Sequence, residues 1–431
     1  MNKSDNKQKA DTAVYPLSLP AQQVLHRLQS AGFEAYLVGG CVRDFLLGRV
    51  PIDFDITTNA LPAEIQSVFS DVETIDTGIR HGTVTVLIDR IPFEVTTYRV
   101  DLGYSDGRHP DAVRFTRSLR VDAARRDFTV NAMAYNDSEG LKDFFGGADD
   151  LAARVIRCVG EPNRRFQEDT LRVLRAVRFA AVLGFDIEPS TALALFDHAG
   201  QLTTVSKERI TAELSKLLCG KAVQRVLSAY MPVLFPCLPE LRTLPRDAIQ
   251  SAAYVCGAVP AAPAVRLAAL LSGLTTAEAF SALARLRLPN RLVSTAQTLL
   301  LHLPDPLEPN RPALRRLLGS LGPECLEYLL SLKLAVCQNA GGSAETAAVQ
   351  AAAALSRQII ADGDCCTIRR LAVSGSDLAE LGFRGNVVGR LLRQLLDAVT
   401  DDRIPNERTA LLNALHTLDT GARCPGKKES L

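Results

Sequence analysis

The sequence predicts an α+β protein, an N-terminal head built on a mixed β-sheet followed by an all-α remainder. Three observations carry this. Short apolar and β-branched runs bounded by Gly, Asp and Asn are confined to the first part of the chain, from Ala35-Tyr36-Leu37-Val38 to Phe93–Tyr98. After residue 160 Ala, Leu and Arg dominate, and apolar residues recur at threes and fours, as in Leu171, Leu174, Val177 and Ala181. The breaks in that second part are marked by proline, at Met231-Pro232, Pro239, Pro260 to Pro263 and Pro304 to Pro312.

In chain order, residues 1–16 read as a disordered tail. A helical pattern through Val24, Leu25 and Leu28 runs from Pro20 to a stop at Ala31-Gly32. The strand Ala35–Val38 ends in Gly39-Gly40, and a short helix from Val42 to Leu47 stops at Gly48. Ile52 to Ile56 alternates apolar with acidic, as a strand does. Thr83–Ile88 and Phe93–Tyr98 read as partner strands joined through an Asp89-Arg90 turn, residues 101–112 as a loop, and strand signals thin out near Val130. Gly341-Gly342-Ser343 reads as a flexible link into a helix, and residues 419–431 as a frayed end. These divisions give a head over 17–160, a helical neck over 161–220, a helical body over 221–340 and a helical tail over 355–418.

Composition narrows the function classes. At about 150 residues per domain, 431 residues suggest about three domains. With 47% hydrophobic and 23% charged residues, wholesale disorder is excluded. A net charge of +1 excludes holding a polyanion by bulk charge, so any nucleic acid must meet a local basic patch. The 39 Arg against 10 Lys favour planar, bidentate contacts, although a GC-rich coding bias gives the same skew. Ten Cys without a C-x-x-C pair read as reduced thiols of a cytoplasmic protein. Met1 to Thr12 lacks an apolar signal-peptide core, and no apolar run reaches ~18 residues, so no membrane association is expected. Monomer and homodimer both stay open.

The chemistry concentrates in three stretches. The first is Gly39-Gly40-Cys41-Val42-Arg43-Asp44 followed by Asp53-Phe54-Asp55. Strand alternation puts Asp53 and Asp55 on one face, ~6–7 Å apart, where hard carboxylate oxygens suit Mg²⁺. The two glycines let backbone N–H groups approach phosphates, with Arg43 in reach of the same anion. Glu94 completes a carboxylate triad if its strand neighbours that of Asp55, a set suited to two-metal nucleotidyl transfer. Alone, a Gly-Gly is a turn and an Asp-x-Asp a solvated strand edge; the order strand, Gly-Gly, short helix, Asp-x-Asp is the nucleotidyltransferase signature. The second stretch is Arg125-Arg126-Asp127-Phe128-Thr129-Val130-Asn131, in which adjacent arginines point apart, one toward an anion and one into structure. The third is Glu168-Asp169-Thr170-Leu171-Arg172 through Phe179, where Asp169, Arg172, Arg175 and Arg178 recur every three residues beside the apolar stripe Leu171, Leu174 and Val177. The ordinary alternative for this helix is an exposed face with an Asp–Arg pair.

Residues 36–58, 77–99, 125–132 and 168–180 together resemble the motif series of the class II tRNA nucleotidyltransferases, which comprise the CCA-adding enzymes and bacterial poly(A) polymerases. Leu371 to Leu415, with Gly375-x-Asp377-Leu378 and Pro405-Asn406, resembles their helical C-terminal region. The resemblance implies a nucleotidyltransferase-type head followed by neck, body and an RNA-binding tail. It implies Asp53 and Asp55 as metal ligands at a two-metal Mg²⁺ site, Glu94 as a third catalytic carboxylate, and Gly40, Arg43, Arg126, Asp169, Arg172, Arg175 and Arg178 as nucleotide-binding residues. Glu168, Asp169 and Arg172 would select the base: C and A both offer an amino donor beside a ring-nitrogen acceptor, whereas G and U face Asp169 with a carbonyl. The implied partners are tRNA, CTP and ATP.

Within the family, Thr77-Gly78-Ile79-Arg80-His81-Gly82-Thr83-Val84 and the loop Tyr104 to Pro110 resemble the CCA-adding type. A poly(A) polymerase, or an enzyme adding only CC or only A, is the alternative inside the family. An inactive RNA-binding protein on the same scaffold is the alternative outside enzymes. His81 reads as structural and His109 as solvated, and Cys41 reads as a small packing residue that exposes the phosphate site to thiol reagents. Arg209, Arg315, Arg316, Arg369 and Arg370 are candidates for RNA contact or plain surface residues.

Overall fold

The computed structural model describes residues 19–51, 53–76, 78–103 and 112–418. The expected terminal tails and the loop Tyr104 to Pro110, with His109, lie outside the described residues. The chain forms two compact units. The first runs to Pro245 and includes Ser281–Leu288; the second holds Arg246–Phe280 and the chain from Pro289 onward.

The first unit opens with α1 (Leu19–Ser30), whose buried Ala21, Val24, Leu25 and Leu28 form one apolar face, and Gly32 ends the turn that follows it at φ 86°. Then come β1 (Ala35–Val38), α2 (Gly40–Leu46), β2 (Asp55–Thr58), α3 (Pro62–Val68) and β3 (Thr74–Ile75). The next strands are β4 (Thr83–Ile88) and β5 (Ile91–Thr97), then the two-stranded ribbon β6 (Arg99–Leu102) and β7 (Ala112–Phe115). After α4 (Leu119–Ala124), strands β8 (Ala134–Asn136) and β9 (Gly140–Lys142) return to the main sheet. That sheet has the order β3-β4-β5-β2-β1-β8-β9. All four residues of β1 are buried, as befits a strand covered on both faces, whereas β4 alternates with Val84, Val86 and Ile88 inward.

Pairing register fixes the site. β1 and β2 are antiparallel with Val38 opposite Asp55, and β2 and β5 are parallel with Asp55 opposite Glu94. The β4–β5 hairpin closes on a two-residue loop in which Asp89 and Arg90 both take positive φ, 51° and 64°, as a turn matched to strand twist requires. Three expectations need correction here. The strand expected over Ile52–Ile56 begins only at Asp55, because β1 ends at Val38 and turns away at Gly39, φ 77°, leaving Asp53 in the lead-in. Strands persist beyond Val130, where β8 pairs with the other edge of β1. The flanks of the 101–112 loop are strand, since β6 pairs with β7 from Arg99 opposite Phe115 to Leu102 opposite Ala112.

The chain continues through α5 (Gly147–Ala153), β10 (Val155–Ile156), α6 (Pro162–Glu168), α7 (Leu171–Leu183), β11 (Asp186–Ile187), α8 (Pro189–His198), α9 (Lys207–Leu218) and α10 (Val223–Tyr230). β10 and β11 pair in parallel. α7 is buried on most of its circumference, packed against α9 and α10, so Leu171, Leu174 and Val177 are part of a wider buried surface.

The second unit is helical: α11 (Arg246–Ala258), α12 (Pro263–Leu271), α13 (Thr276–Arg285, shared between the units), α14 (Asn290–His302), α15 (Arg311–Leu321), α16 (Pro323–Ala340), α17 (Ser343–Ala361), α18 (Gly375–Glu380), α19 (Asn386–Thr400) and α20 (Arg408–Leu418). Gly341, at φ 74°, caps α16, and with Gly342 forms a tight two-residue turn between packed helices rather than a flexible link. The C-terminal motif residues are structural. Asp377 forms a capping box with Ser374 and pairs with Arg408 at 2.5 Å, while Asn406 bridges the Ala372 N–H and the Arg370 carbonyl. No helix among the described residues is long and apolar enough to cross a membrane.

At Gly147, a Cβ would stand 2.3 Å from the Thr129 carbonyl oxygen and 2.8 Å from Met133 Cγ. Gly147→Ala should therefore cost roughly 1–3 kcal/mol of stability by overpacking, read as a lower urea midpoint. An unchanged midpoint would contradict the close approach of α5 to the Thr129–Met133 segment.

Candidate active site

The acidic side of the site is built by the sheet. Asp55 and Glu94 stand next to each other on parallel strands, with Asp53 two residues upstream, and all three are reached by solvent. Protein around Asp55 desolvates its carboxylate and raises its pKa; Arg126 opposes this and the charge of Asp53 adds to it. The Glu94 carboxyl is raised by desolvation and by repulsion from Asp55 and Asp53. The three acids thus share one electrostatic neighbourhood, as the sequence suggested. Among the described residues, however, no three acidic, His or Cys side chains close into a ready-made metal cage, because Asp53 lies off the strand that holds its neighbour. Hard oxygen donors open to solvent fit Mg²⁺, which keeps waters and shares ligands with phosphates.

Beside these acids the backbone makes a close approach. A Cβ at Gly39 would lie 3.3 Å from Arg126 Nη1, 3.8 Å from Asp55 Oδ2 and 3.9 Å from the Asn131 carbonyl oxygen. Gly39, not only the expected Gly40, is therefore the constrained glycine; at Gly40 a Cβ would meet just Arg43 Nη2, at 3.6 Å. Cys41 tucks in behind, donating to the Val38 carbonyl at 3.2 Å. Burial pushes its thiol up to about 11, so it is a packing residue and not the reactive thiol the sequence allowed.

The adjacent arginines share Asp122 but differ in their other neighbours. Arg125 is tied to Asp122 at 2.7 Å and to Asp101 at 3.6 Å, whereas Arg126 reaches Asp122 at 3.5 Å and lies against Gly39. The fully buried Asp122, absent from the sequence reading, also accepts from Thr57 and the Arg99 N–H. Arg43 donates to Asn131 Oδ1 at 2.7 Å and to Asp44 at 2.9 Å. Asn131 passes the connection to Asp127 at 3.2 Å, and Asp127 takes Arg175 at 2.5 Å.

The third stretch departs most from expectation. Asp169 is not on the helix with the arginines; α6 ends at Glu168, Asp169 has extended φ/ψ, and α7 starts at Leu171. Asp169 accepts from Arg209 Nη2 at 3.0 Å and from the Leu171 N–H at 3.1 Å. Arg172, 9% exposed, is held instead by Glu168 at 2.9 Å and by the carbonyls of Arg165 and Arg125. These three bonds leave two of a guanidinium's five donors for a ligand. Arg178 pairs with Glu213 at 2.7 Å. The ordinary alternative, an exposed Asp–Arg face, does not hold: Arg172 is buried, Arg175 and Arg178 are half-buried, and each has a carboxylate partner. Arg209 is part of this site, and Arg315 and Arg316 are bound to Asp364, Asp402 and Asp401 within the second unit.

Comparison with known proteins follows the same layout. A profile described as Poly A polymerase head domain matches residues 35–157, and one described as Probable RNA and SrmB-binding site of polymerase A matches residues 184–231. The CCA-adding enzyme of Limosilactobacillus fermentum is 38% identical over 92% of this chain and 96% of its own. The chain belongs to the CCA-adding enzyme and poly(A) polymerase family. A second CCA-adding enzyme, from Levilactobacillus brevis, is 37% identical over 92% of this chain and 96% of its own length. The crystal structure of the Bacillus stearothermophilus CCA-adding enzyme in complex with CTP aligns with a TM-score of 0.72 and 33% identity, covering 93% of this chain and 99% of that one.

For this family member, Asp127 offers a direct check of the buried network. Burial alone would raise its pKa, but Arg175, Arg172 and Asn131 hold it down at about 2, against 3.8 when unperturbed. Its contribution, about 2 kcal/mol, is present above the unfolded value and lost as pH falls from near 4 toward 2. Asp127→Asn should remove it. Urea titrations at pH 7 and near pH 2.5 should show a stability gap between wild type and variant that narrows in acid; a gap independent of pH would refute the ionised pair.

Proposed function

We propose that this chain adds and repairs the 3′-terminal CCA of tRNA, without a nucleic-acid template, using CTP and ATP. The tRNA 3′-hydroxyl attacks the α-phosphate of the nucleotide, and pyrophosphate leaves. The observation that carries this reading is the pairing of Asp55 with Glu94 beside Gly39 and Arg126, in a chain 38% identical to a CCA-adding enzyme over nearly its whole length.

Asp53 and Asp55 would hold divalent metal, taken to be a pair of Mg²⁺ ions, with Glu94 beside them. Metal bound there would favour the ionised form of the attacking hydroxyl and offset charge on the leaving pyrophosphate. The chain's own residues do the rest. Gly39 and Gly40 let the backbone approach the triphosphate closely, and Arg43, Arg126, Arg175 and Arg178 present cations to it. Asp169 accepts from the amino group of C or A, and Arg172, steadied by Glu168, donates to the ring nitrogen with its remaining N–H groups. A carbonyl of G or U against Asp169 leaves two acceptors facing each other, which a buried site rejects strongly. The helical tail would take the tRNA, through shape and phosphate contacts. A cytoplasmic setting suits these substrates.

Incubation of tRNA lacking its 3′ end with CTP, ATP or both, followed by product sequencing, tests the reading. CCA ends are expected. Long A tails would mark a poly(A) polymerase, a stop at CC or addition of A alone a partial enzyme, and no incorporation with Mg²⁺ an RNA-binding protein. Asp53→Ala should abolish turnover while tRNA affinity survives; an active variant would overturn the metal assignment. Asp169→Ala should admit UTP or GTP at least about tenfold more readily relative to CTP, measured as a ratio of kcat/KM, and an unchanged ratio would remove its selecting role.

A further inference from the structure

We propose that Phe179 is a positioning residue that gathers Arg43, Arg175 and Arg178 into one cationic face through its ring; this rests on reading those arginines as nucleotide ligands. Phe179 lies on α7 and is 5% exposed. The guanidinium carbon of Arg178 stands 3.6 Å from the ring centroid, that of Arg43 5.3 Å and that of Arg175 5.4 Å. Phe128 braces the ring edge-on at 5.7 Å, with an interplanar angle of 79°.

Three guanidinium groups this close repel one another. Their acidic anchors link them in pairs: Glu213 meets Arg178 at 2.7 Å and Arg175 at 3.7 Å, while Asp127 holds Arg175 at 2.5 Å and reaches Arg43, itself paired with Asp44, through Asn131. Neither Glu213 nor Asp127 bonds all three directly, whereas the Phe179 ring centroid lies within 5.4 Å of each guanidinium carbon. Arg43 arrives from α2, and the other two from α7 itself. An aromatic face carries negative quadrupole density and attracts cations within ~6 Å. An aliphatic side chain of similar size would fill the space without that attraction, so ring chemistry and packing can be separated.

The test compares Phe179→Leu and Phe179→Tyr, using full-length protein and tRNA lacking its 3′ end. KM and kcat are measured for CTP and ATP, together with the Kd for CTP in equilibrium binding. Phe179→Leu is expected to raise both KM values and the Kd about tenfold. It should leave kcat within about twofold and the CTP-to-UTP preference unchanged. Phe179→Tyr, which keeps the ring, should hold KM and Kd near those of wild type. Wild-type KM and Kd in the leucine variant would overturn the proposal, as would a tyrosine variant as impaired as the leucine one. If Phe179→Leu loses its cooperative thermal transition, Phe179→Met undergoes the same measurements and is judged in the same way. A wild-type protein that neither binds nor incorporates CTP would instead sink the underlying functional reading, an outcome separate from any difference between variants.

Discussion

The arginine side of the site depends on one buried carboxylate. A buried charge is costly unless paired and hydrogen-bonded, and Asp127 meets that condition completely. One oxygen takes Arg175, and the other takes the Phe128 N–H and the Asn131 amide. Asn131 then turns its own oxygen to Arg43. A single acid thereby sets the positions of guanidinium groups on two helices, α2 and α7, that are far apart in sequence. A site meant to receive a polyanion must concentrate cations before the anion arrives, and this network is how the protein tolerates them.

The acidic side depends on a different constraint. Asp55 and Glu94 meet because β2 and β5 are parallel, and a parallel pair needs a crossover connection. Here α3, β3 and β4 supply it. The sheet then fixes the two carboxylates side by side, while Asp53, beyond the end of β1, answers to the lead-in alone. The site thus combines one acid outside the strand ladder with two that are part of it.

Much of this was legible in the sequence because it is local. The β4–β5 hairpin, the amphipathic face of α1 and the glycine turn after β1 follow from period and turn chemistry over a few residues. That Arg125 and Arg126 diverge followed from adjacency, whereas which of them lies beside Gly39 did not. What stayed hidden was pairing between distant segments. Asp122, Arg209 and Glu213 look like ordinary surface charges until folding brings them to Arg126, Asp169 and Arg178. The position of Asp169 was misread for a subtler reason. Its three-residue spacing to Arg172 mimics a helix face, but α7 begins only at Leu171, and the Asp169 side chain accepts from that first helical N–H. Strands β8 and β9 escaped notice because three-residue strands carry almost no periodic signal.

The internal pairing of the arginines also bears on ionic strength. Surface cations gripping a polyanion release condensed counterions, so their hold weakens steeply as salt rises. Arg172, Arg175 and Arg178 already have carboxylate partners at short range, inside ~10 Å, where dissolved ions screen little. In the proposed role, such residues keep their carboxylates, offer only their remaining N–H groups and shed few mobile ions. Nucleotide recognition would then tolerate salt that loosens the grip on the RNA, so the two halves of the substrate could be uncoupled by nothing more than potassium chloride.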